Sequence, residues 1–391
     1  MKQPRRRRRL VLAAAALTVP LLLSSLPGVE AQTVGGFTSD NVEYVTFVPF
    51  EVGTATGVTI QGKFMYLTSW KNISIYDISD PENPQLVGRP LPIGFKFENE
   101  NVSVSPGGKF LLFSESLPGD ALHIYDVEDK TNIQLLASLQ GAGDHTTTCI
   151  LKCKWAYGSD GTIVDLRDPA NPVLAAARND PEKNWHAQTG LQGGGHDVEE
   201  FKNGFLITSP ISAPLQLLDV RNPMKPKVLA TGQNPNPSGF LFHSGRWPRK
   251  GRDRFLLMQG ERNVQPRCND NNGPFMTFDA SRWKETKTFT LIDTFRVQNG
   301  TFVDGSPPVN ALGCSAHWFE ERPGFKNGGI VAIGYYEHGT RFLEVDPKGK
   351  ITEVGWFLPY GGSTSAAYWV TKDIVYAVDY TRGIDVLRFN G

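Results

Sequence analysis

Four of the seven histidines in the chain precede or begin short runs of β-forming residues. They are His145, His196, His243 and His317. Neutral imidazoles that converge on one point suit a transition metal such as copper, iron or zinc, and they suit oxygen-preferring cations far less. The chemistry of the chain therefore depends on whether its fold brings these four side chains together.

A repeated phrase organises the rest of the chain. Residues 75–88 read IYDISDPENPQLVG, and the phrase returns as IVDLRDPANPVL at 163–174 and as LLDVRNPMKPKVL at 217–229. In each copy a β-forming run ends in an aspartate, and a proline-containing turn precedes a second apolar run. Proline fixes the backbone angle at the corner, and an aspartate can accept hydrogen bonds from nearby backbone N–H groups. Each copy therefore predicts a strand, a tight turn and another strand.

The aliphatic–aspartate core of the phrase recurs more weakly elsewhere. Together the strong and weak copies contain Asp77, Asp126, Asp165, Asp219, Asp279, Asp346 and Asp385. Seven repeats about 40 to 50 residues long, each with several strands, are typical of a β-propeller. The sequence predicts an all-β, seven-bladed β-propeller. We expect the isolated strand at residues 42–50 to pair with residues 384–389 in the last blade and close the ring, which removes an open sheet edge.

The Asp-Pro-x-x-Pro phrase followed by Leu-Val-Gly at residues 79–88 resembles the LVIVD-repeat proteins, a family of exported bacterial propellers. The resemblance extends over nearly all of the chain after its first 31 residues. It implies the propeller fold for residues 32–391 as one domain, and it implies no particular activity.

The propeller gives the four histidines a common position. Innermost strands line the central channel of a propeller, so residues that enter them surround the axis at one mouth. The corresponding positions of the other three blades hold Ala55 or Thr56, Asn101 and Ser365. The four histidines should therefore converge on one transition-metal ion. A histidine at this position can instead be structural and donate to a neighbouring carbonyl, but four in register favour the metal. We expect the second ring N–H groups to be held by nearby carboxylates, with Asp144, Asp197 and Glu199 as candidates.

This placement is similar to that in carotenoid oxygenases, propellers that hold iron on four axial histidines. It is also similar to that in the selenium-binding protein and methanethiol oxidase propellers. The likeness is one of placement and not of motif, so it implies a metal and no substrate. His123, inside a strand, and His186, in a loop between blades, are interpreted as packing and loop residues.

Loops at the same mouth should form a polar, aromatic-rimmed funnel for a small-molecule ligand or substrate. The side chains expected there are Trp70, Glu115, Arg262, Tyr336, Glu337, His338, Arg341, Tyr380 and Arg382. Arginines near a metal could bind a carboxylate or another anion through two hydrogen bonds. Such arginines also commonly stabilise loops through backbone carbonyls, and the sequence leaves both roles open.

The first 31 residues have the pattern of a cleaved signal peptide. A basic start at residues 5–9 precedes an apolar run at 10–23 and a small-x-small cleavage pattern at 29–31. Both general secretion and twin-arginine export are compatible with the paired arginines.

Cleavage would remove six basic residues and one acidic residue from totals of 40 each, leaving 34 basic and 39 acidic residues. The mature chain has no basic patch for nucleic acid and no second apolar stretch long enough to span a membrane. We therefore expect an exported protein.

Four cysteines in an exported chain suggest two disulfides. Cys149 and Cys153 flank a predicted hairpin corner, whereas Cys268 lies in a long loop and Cys314 opens a later blade. We expect bridges between Cys149 and Cys153 and between Cys268 and Cys314. The alternative is that their thiolates bind a metal.

Two functions of different classes follow from these features. The first is a metal-dependent enzyme, with oxidation favoured over hydrolysis, that acts on a small molecule at the channel mouth. The second is a non-catalytic binding propeller whose face holds a protein, a glycan or a small ligand. The sequence names neither the substrate nor the metal.

Overall fold

The computed structural model describes residues 35–49, 55–96, 100, 102–116, 119–262, 268, 272–298 and 312–391. The predicted signal peptide at residues 1–31 lies outside the described residues. So do Phe50 and Asn101. Within the described part of the chain, no helix is long and apolar enough to cross a membrane.

The described strands form seven antiparallel blades, as the sequence predicts, and a short parallel pairing joins two of these blades into one eight-stranded sheet. From the inside outwards, the first blade contains Ala55–Gln61, Phe64–Ser69, Asn72–Asp77 and Gln85–Leu86, with Leu91–Pro92 also paired to its third strand. The second contains Ser103–Val104, Phe110–Glu115, Ala121–Asp126 and Gln134–Gln140. The third contains Thr147–Ile150, Trp155–Gly158, Ile163–Asp165 and Val173–Ala176.

The remaining blades follow the same order. The fourth contains Gly195–Lys202, Phe205–Pro210, Leu215–Asp219 and Lys227–Gly232, and the fifth contains Leu241–Arg246, Phe255–Glu261, Phe275–Asp279 and Thr288–Phe295. The sixth contains Phe319–Glu321, Gly329–Gly334, Thr340–Val345 and Ile351–Pro359, and the seventh contains Thr364–Trp369, Ile374–Asp379 and Gly383–Phe389. In the described part of the chain, two one-turn helices lie in loops, at Trp185–Thr189 and Trp283–Thr286, and Pro248–Gly251 forms a turn with left-handed residues.

The N-terminal strand Val42–Pro49 closes the ring. It pairs antiparallel with Gly383–Phe389 and becomes the outer strand of the seventh blade, so the predicted closure is confirmed. A preceding strand, Gly36–Thr38, adds to Ile351–Pro359 as a fifth strand of the sixth blade, which the sequence did not indicate. The first residues of the propeller therefore bind two neighbouring blades.

Hydrophobic packing between blades continues around the whole ring. Seven clusters of buried residues are found in the described part of the chain, and each contains side chains from two adjacent blades. The cluster that joins the seventh blade to the first includes Tyr376, Val386 and Leu67, all of them buried. Such continuous burial fixes each inner strand against the next and so fixes the positions of residues around the axis.

The sequence predicts backbone contacts for the aspartate that precedes the proline, such as Asp80, and the repeated aspartates at the strand ends make similar contacts. Asp77, for example, ends its strand, and its carboxylate accepts a hydrogen bond of 2.8 Å from the backbone N–H of Ser79. The matching contact, from the backbone N–H two residues on, occurs at Asp126, Asp165, Asp219, Asp279 and Asp346. Asp385 differs, because it lies inside its strand and pairs with Arg382.

Candidate metal centre

The four predicted histidines lie side by side around the channel. His145 and His317 lie two residues before the inner strands of blades 3 and 6, whereas His196 and His243 lie within those of blades 4 and 5. Successive ring centroids, taken in sequence order, are 4.7, 3.9 and 4.2 Å apart. The Nε2 atoms of His145 and His196 are 3.1 Å apart. The arrangement brings together imidazoles that are distant in sequence.

The cluster is closed on one side and open on the other. The side chains of His243 and His317 have no exposed surface, and that of His196 is 10% exposed. The side chain of His145 is 29% exposed. A small molecule from solvent would therefore reach the cluster from the side of His145.

A carboxylate that the sequence analysis did not identify lies at the centre of the cluster. The Glu100 carboxylate is 3.2 Å from Nε2 of His243, 3.3 Å from that of His317 and 3.5 Å from that of His145. It is 3.9 Å from Nε2 of His196. Glu100 is one position before Asn101, the residue taken from the sequence as the counterpart of the histidines in blade 2. The spacing of the repeats predicts that a residue near position 101 faces the channel, but it does not identify Glu100 as that residue.

Glu261 is a second carboxylate at the cluster that the sequence analysis missed. It ends the second strand of blade 5, and its oxygens lie 3.8 Å from Nε2 of His243 and 3.9 Å from Nε2 of His317. The hydroxyl of Tyr336 donates a hydrogen bond to it. The neighbouring Arg262 had been assigned to the funnel, so the sequence located this strand end without selecting the glutamate.

Two aromatic side chains hold the Glu100 carboxylate. The indole N–H of Trp318 donates to it at 3.2 Å, and the hydroxyl of Tyr380 donates to it at 2.9 Å. Trp318 also packs edge-on against His243, and Tyr380 lies 6.0 Å from His317 between ring centroids. Both donors favour an ionised carboxylate in a site from which water is largely excluded.

Contacts with backbone carbonyls fix the tautomers of His196 and His317. Nδ1 of His196 lies 3.2 Å from the carbonyl oxygen of His243, and Nδ1 of His317 lies 2.6 Å from that of Ser365. A carbonyl can only accept, so each Nδ1 carries the hydrogen and the neutral ring presents a lone pair at Nε2. These lone pairs face the centre of the cluster.

The three carboxylates expected to hold the imidazoles lie in different surroundings. Asp144 accepts hydrogen bonds from Ser159 and from the backbone N–H of His145 and Asp160. Asp197 is buried on the inner strand of blade 4 beside His196. Glu199 lines a separate cavity of about 310 Å³, together with Arg246 and Trp318. Backbone carbonyls thus accept hydrogen bonds from His196 and His317, for which side-chain carboxylates had been expected.

The charge states follow from burial and from these neighbours. Burial would raise the pKa of Glu100, but His317 and His145 outweigh it and hold the pKa well below its usual range. Burial would lower the pKa of His317, but the Glu100 carboxylate outweighs it and raises the pKa. Burial lowers the pKa of His196 and of His243, with neighbouring imidazoles adding to the effect. The centre is therefore an ionised carboxylate among imidazoles, two of which resist protonation.

Two of the residues predicted for the funnel lie at the cluster. They are Tyr336 and Tyr380, and their rings are 6.2 Å apart and stacked. Tyr336 also packs against His317, with 4.8 Å between ring centroids.

The other funnel residues make local contacts. Glu115 binds Lys96 and His123, and Glu337 accepts from the backbone N–H groups of Leu312 and Gly313. Arg341 donates to the carbonyl of His338 and pairs with Glu353, and Arg382 pairs with Asp385 inside blade 7. Trp70 packs on Phe95, and the backbone N–H of Arg262 donates to Ser315. The two arginines therefore act on loops and strands rather than as free anion ligands.

Both predicted disulfides are confirmed. Cys149 bonds Cys153 across a corner in which Leu151, Lys152 and Cys153 have positive φ, and Cys268 bonds Cys314, three residues before His317. The alternative role of these cysteines as thiolate ligands is therefore excluded in this structure.

Comparisons with known proteins agree with this architecture. Residues 52–91 match the sequence model of the LVIVD repeat, so the predicted resemblance is confirmed for that segment. No curated protein matches the chain. Among solved structures, one titled "Structure of U3-55K" superposes with a TM-score of 0.56 at 10% sequence identity. The match covers 89% of this chain and 98% of that one, and at this identity it supports the fold alone.

Proposed function

We propose that this propeller, with its LVIVD repeat, is an exported metal-dependent oxidoreductase that acts on a small molecule. In this proposal His145, His196, His243 and His317 bind one transition-metal ion, with Glu100 as a further ligand. Glu261, held by Tyr336, completes the negative charge beside the ion.

The observation that carries the proposal is that acceptors face acceptors at a buried point. His317 donates through Nδ1 to Ser365, so its neutral ring directs a lone pair from Nε2 at the Glu100 carboxylate 3.3 Å away. Nε2 of His196 carries a lone pair for the same reason and lies 3.9 Å from the same carboxylate. Among the described residues, Nε2 of His317 and both ring nitrogens of His243 make no well-oriented hydrogen bond. A lone pair that faces a carboxylate is unfavourable unless a proton or a metal cation lies between the two atoms. Two such lone pairs around one carboxylate favour a metal ion.

The donor set limits the choice of ion. Imidazoles combined with a carboxylate suit iron, copper and zinc, whereas calcium and magnesium prefer oxygen ligands only. Bound here, the ion would supply Lewis acidity and, if it is iron or copper, electron transfer. The site contains no free thiol, because the cysteines near it are joined as a disulfide.

Side chains at the cluster define the side from which substrate approaches and provide groups that can transfer protons. His145 is the exposed member of the cluster, so substrate would approach from its side. The hydroxyl of Tyr380 donates to Glu100, and that of Tyr336 donates to Glu261. Each pair can hold a proton next to the ligands and pass it between hydroxyl and carboxylate. Both oxidation and hydrolysis use such proton transfers, so the preference for oxidation depends on whether the bound ion is iron or copper.

The proposed location outside the cytoplasm rests on two features. The first 31 residues have a signal-peptide pattern, and the two disulfides suit an oxidising compartment. Mass spectrometry of the secreted chain tests it, and we expect the mature N-terminus at Gln32.

Metal analysis of the purified chain tests the proposed site. The wild-type protein should contain about one equivalent of iron, copper or zinc, and a His196→Ala and His243→Ala double variant should contain less than a tenth of that. A His186→Gln variant is the matched control, because His186 is a partly buried histidine outside the cluster. Equal metal content in all three proteins would refute the site and favour a non-catalytic binding propeller.

A further inference from the structure

A cavity of about 700 Å³ lies between blades 4 and 5, away from the histidine cluster. The inner strand Gly195–Lys202 separates the two sites, because His196 is near its start and Lys202, at its end, lines the cavity. Six residues of strand span about 20 Å at the usual rise of 3.3 Å per residue. The cavity therefore lies on the opposite face of the propeller and is independent of the proposed metal centre.

Aromatic rings form one wall of this cavity. Phe201 packs on Trp247 with 5.1 Å between ring centroids, and Trp247 packs edge-on against Trp283 at 6.0 Å. Trp247 is buried, and its indole N–H donates to the carbonyl of Asp253. Phe201 and Trp283 are only half-buried, and the Lys284 ammonium lies over the Trp283 ring, 5.8 Å from its centroid.

The rim of the cavity is strongly basic. The described residues that line it include five basic residues, Lys202, Lys250, Arg252, Arg254 and Lys284, and one acidic residue, Asp253. The whole chain has equal numbers of basic and acidic residues, so this imbalance is local.

Asp253 offsets only one of these five positive charges. Its oxygens accept hydrogen bonds from the backbone N–H groups of Phe255 and Asn327, and the residue is buried. Among the described residues, Lys202, Lys250 and Lys284 have no carboxylate within 4.0 Å, and Arg254 has only Asp279, at 3.7 Å.

A turn with an uncommon backbone conformation carries one of these lysines. Arg249 and Lys250 have φ values of 58° and 57°, in the left-handed region that non-glycine residues rarely adopt in succession. Such conformations persist where the surrounding structure holds them, and they concentrate at functional sites. The surrounding structure therefore holds Lys250 at the cavity rim in a backbone conformation that an unconstrained lysine would rarely adopt.

We infer that this cavity binds a small aromatic carboxylate. Its volume lies within the range of roughly 300 to 1,000 Å³ that is typical of small-molecule sites. A flat ring would pack against Trp283 and Phe201, and the carboxylate would bind lysines that have no acidic partner. A simple anion would use only the charges, and a neutral aromatic molecule only the rings.

Isothermal titration calorimetry with naphthalene-2-carboxylate tests the inference, using the purified full-length mature protein. We expect saturable binding that weakens at least tenfold when the salt concentration rises from 0.05 to 0.5 M, because counter-ions screen the lysines. Neutral naphthalen-2-ylmethanol and inorganic phosphate should each bind at least tenfold more weakly than the carboxylate. Absence of binding at millimolar concentration would overturn the inference, as would equal affinity for phosphate or for the neutral alcohol.

Two variants localise the binding. A Lys202→Gln and Lys250→Gln double variant and a Trp283→Leu variant should each weaken naphthalene-2-carboxylate binding at least tenfold. A Lys152→Gln variant is the control, since Lys152 is an exposed lysine outside the cavity. Melting temperatures equal to that of the wild type establish that the variants are folded. Unchanged affinity in both cavity variants would place the ligand elsewhere and contradict the inference.

Discussion

Nε2 of His317 lies 3.3 Å from the carboxylate of Glu100, while Nδ1 of the same ring lies 2.6 Å from the carbonyl of Ser365. The second contact fixes the hydrogen on Nδ1, and so the first places a lone pair against an anion unless a cation intervenes. The metal-free chain can satisfy this contact with a proton, which agrees with the raised pKa of His317. A metal ion would replace that proton.

Substitution of Glu100 by glutamine should weaken metal binding about 10- to 100-fold, because the amide removes a charge next to the ion and keeps the size of the side chain. Competition with a chelator of known affinity, followed by metal analysis, measures the change. The control is Glu128→Gln, at an exposed glutamate remote from the cluster. An unchanged affinity in the Glu100 variant would remove this carboxylate from the site.

Metal occupancy should fall as the pH falls below about 6, because protons compete with the ion for imidazole nitrogens whose ordinary pKa is about 6.5. Equilibrium dialysis at fixed total metal between pH 7.5 and 5.0 measures this dependence. Occupancy that is constant over the whole range would argue against imidazole ligands.

His338 should make the metal-free protein less stable in acid. Burial, with Arg341 adding to it, lowers the pKa of His338 to about 4. Between pH 6.5 and 4, His338 is protonated in the unfolded chain but remains neutral in the folded chain. The free energy of unfolding is therefore highest above pH 6.5 and decreases as the pH falls. A His338→Gln variant should lose about 3 kcal/mol less than the wild type between pH 7.5 and 4.5.

Urea unfolding of both proteins at the two pH values measures that difference. The control is Lys152→Gln, which changes no group that titrates in this range. Equal losses of stability in the wild type and the His338 variant would show that this histidine titrates normally in the folded protein.

Removal of residues 35–49 should lower the melting temperature by about 10 °C or more. This deletion takes away the strand paired with Gly383–Phe389 and exposes the edge of the seventh blade. Removal of residues 35–38 alone is the control, since it deletes only the extra strand of blade 6. If both deletions melt at the same temperature, closure by Val42–Pro49 does not stabilise the ring.

The two disulfides should contribute unequally to stability. Cys268 and Cys314 are 46 residues apart, whereas Cys149 and Cys153 are four apart. Chain entropy gives about 4 kcal/mol for the longer loop and about 2 kcal/mol for the shorter one. Paired Cys→Ser variants compared by chemical denaturation should therefore differ by about 2 kcal/mol, and the reverse order would contradict this explanation.

The fold could be predicted from the sequence because the motifs that indicate it are short and local. A strand that ends in an aspartate, whose carboxylate binds the backbone two residues later, recurs in six blades and marks their third strands. The strand Gly36–Thr38 has three residues and no alternating pattern, so nothing in the sequence distinguishes it from a loop. The departure at Asp385 could not be seen either, because its strand extends beyond the repeated aspartate.

The candidate site was accessible only in part. The histidines share a position in four repeats, which made their convergence predictable. Glu100 reaches the same centre from a polar segment of blade 2 where no histidine marks the register. Partners of the imidazoles were beyond sequence reasoning, because the acceptors at His243 and Ser365 are backbone carbonyls, which every residue possesses.

X-ray absorption spectroscopy at the edge of the bound metal tests whether the histidines bind one ion. We expect a first shell of nitrogen and oxygen atoms at about 2.0 to 2.2 Å, with the outer-shell scattering of several imidazole rings. That imidazole scattering should be lost in the His196→Ala and His243→Ala double variant. A metal-free protein, or a first shell without imidazole, would contradict the proposed metal centre.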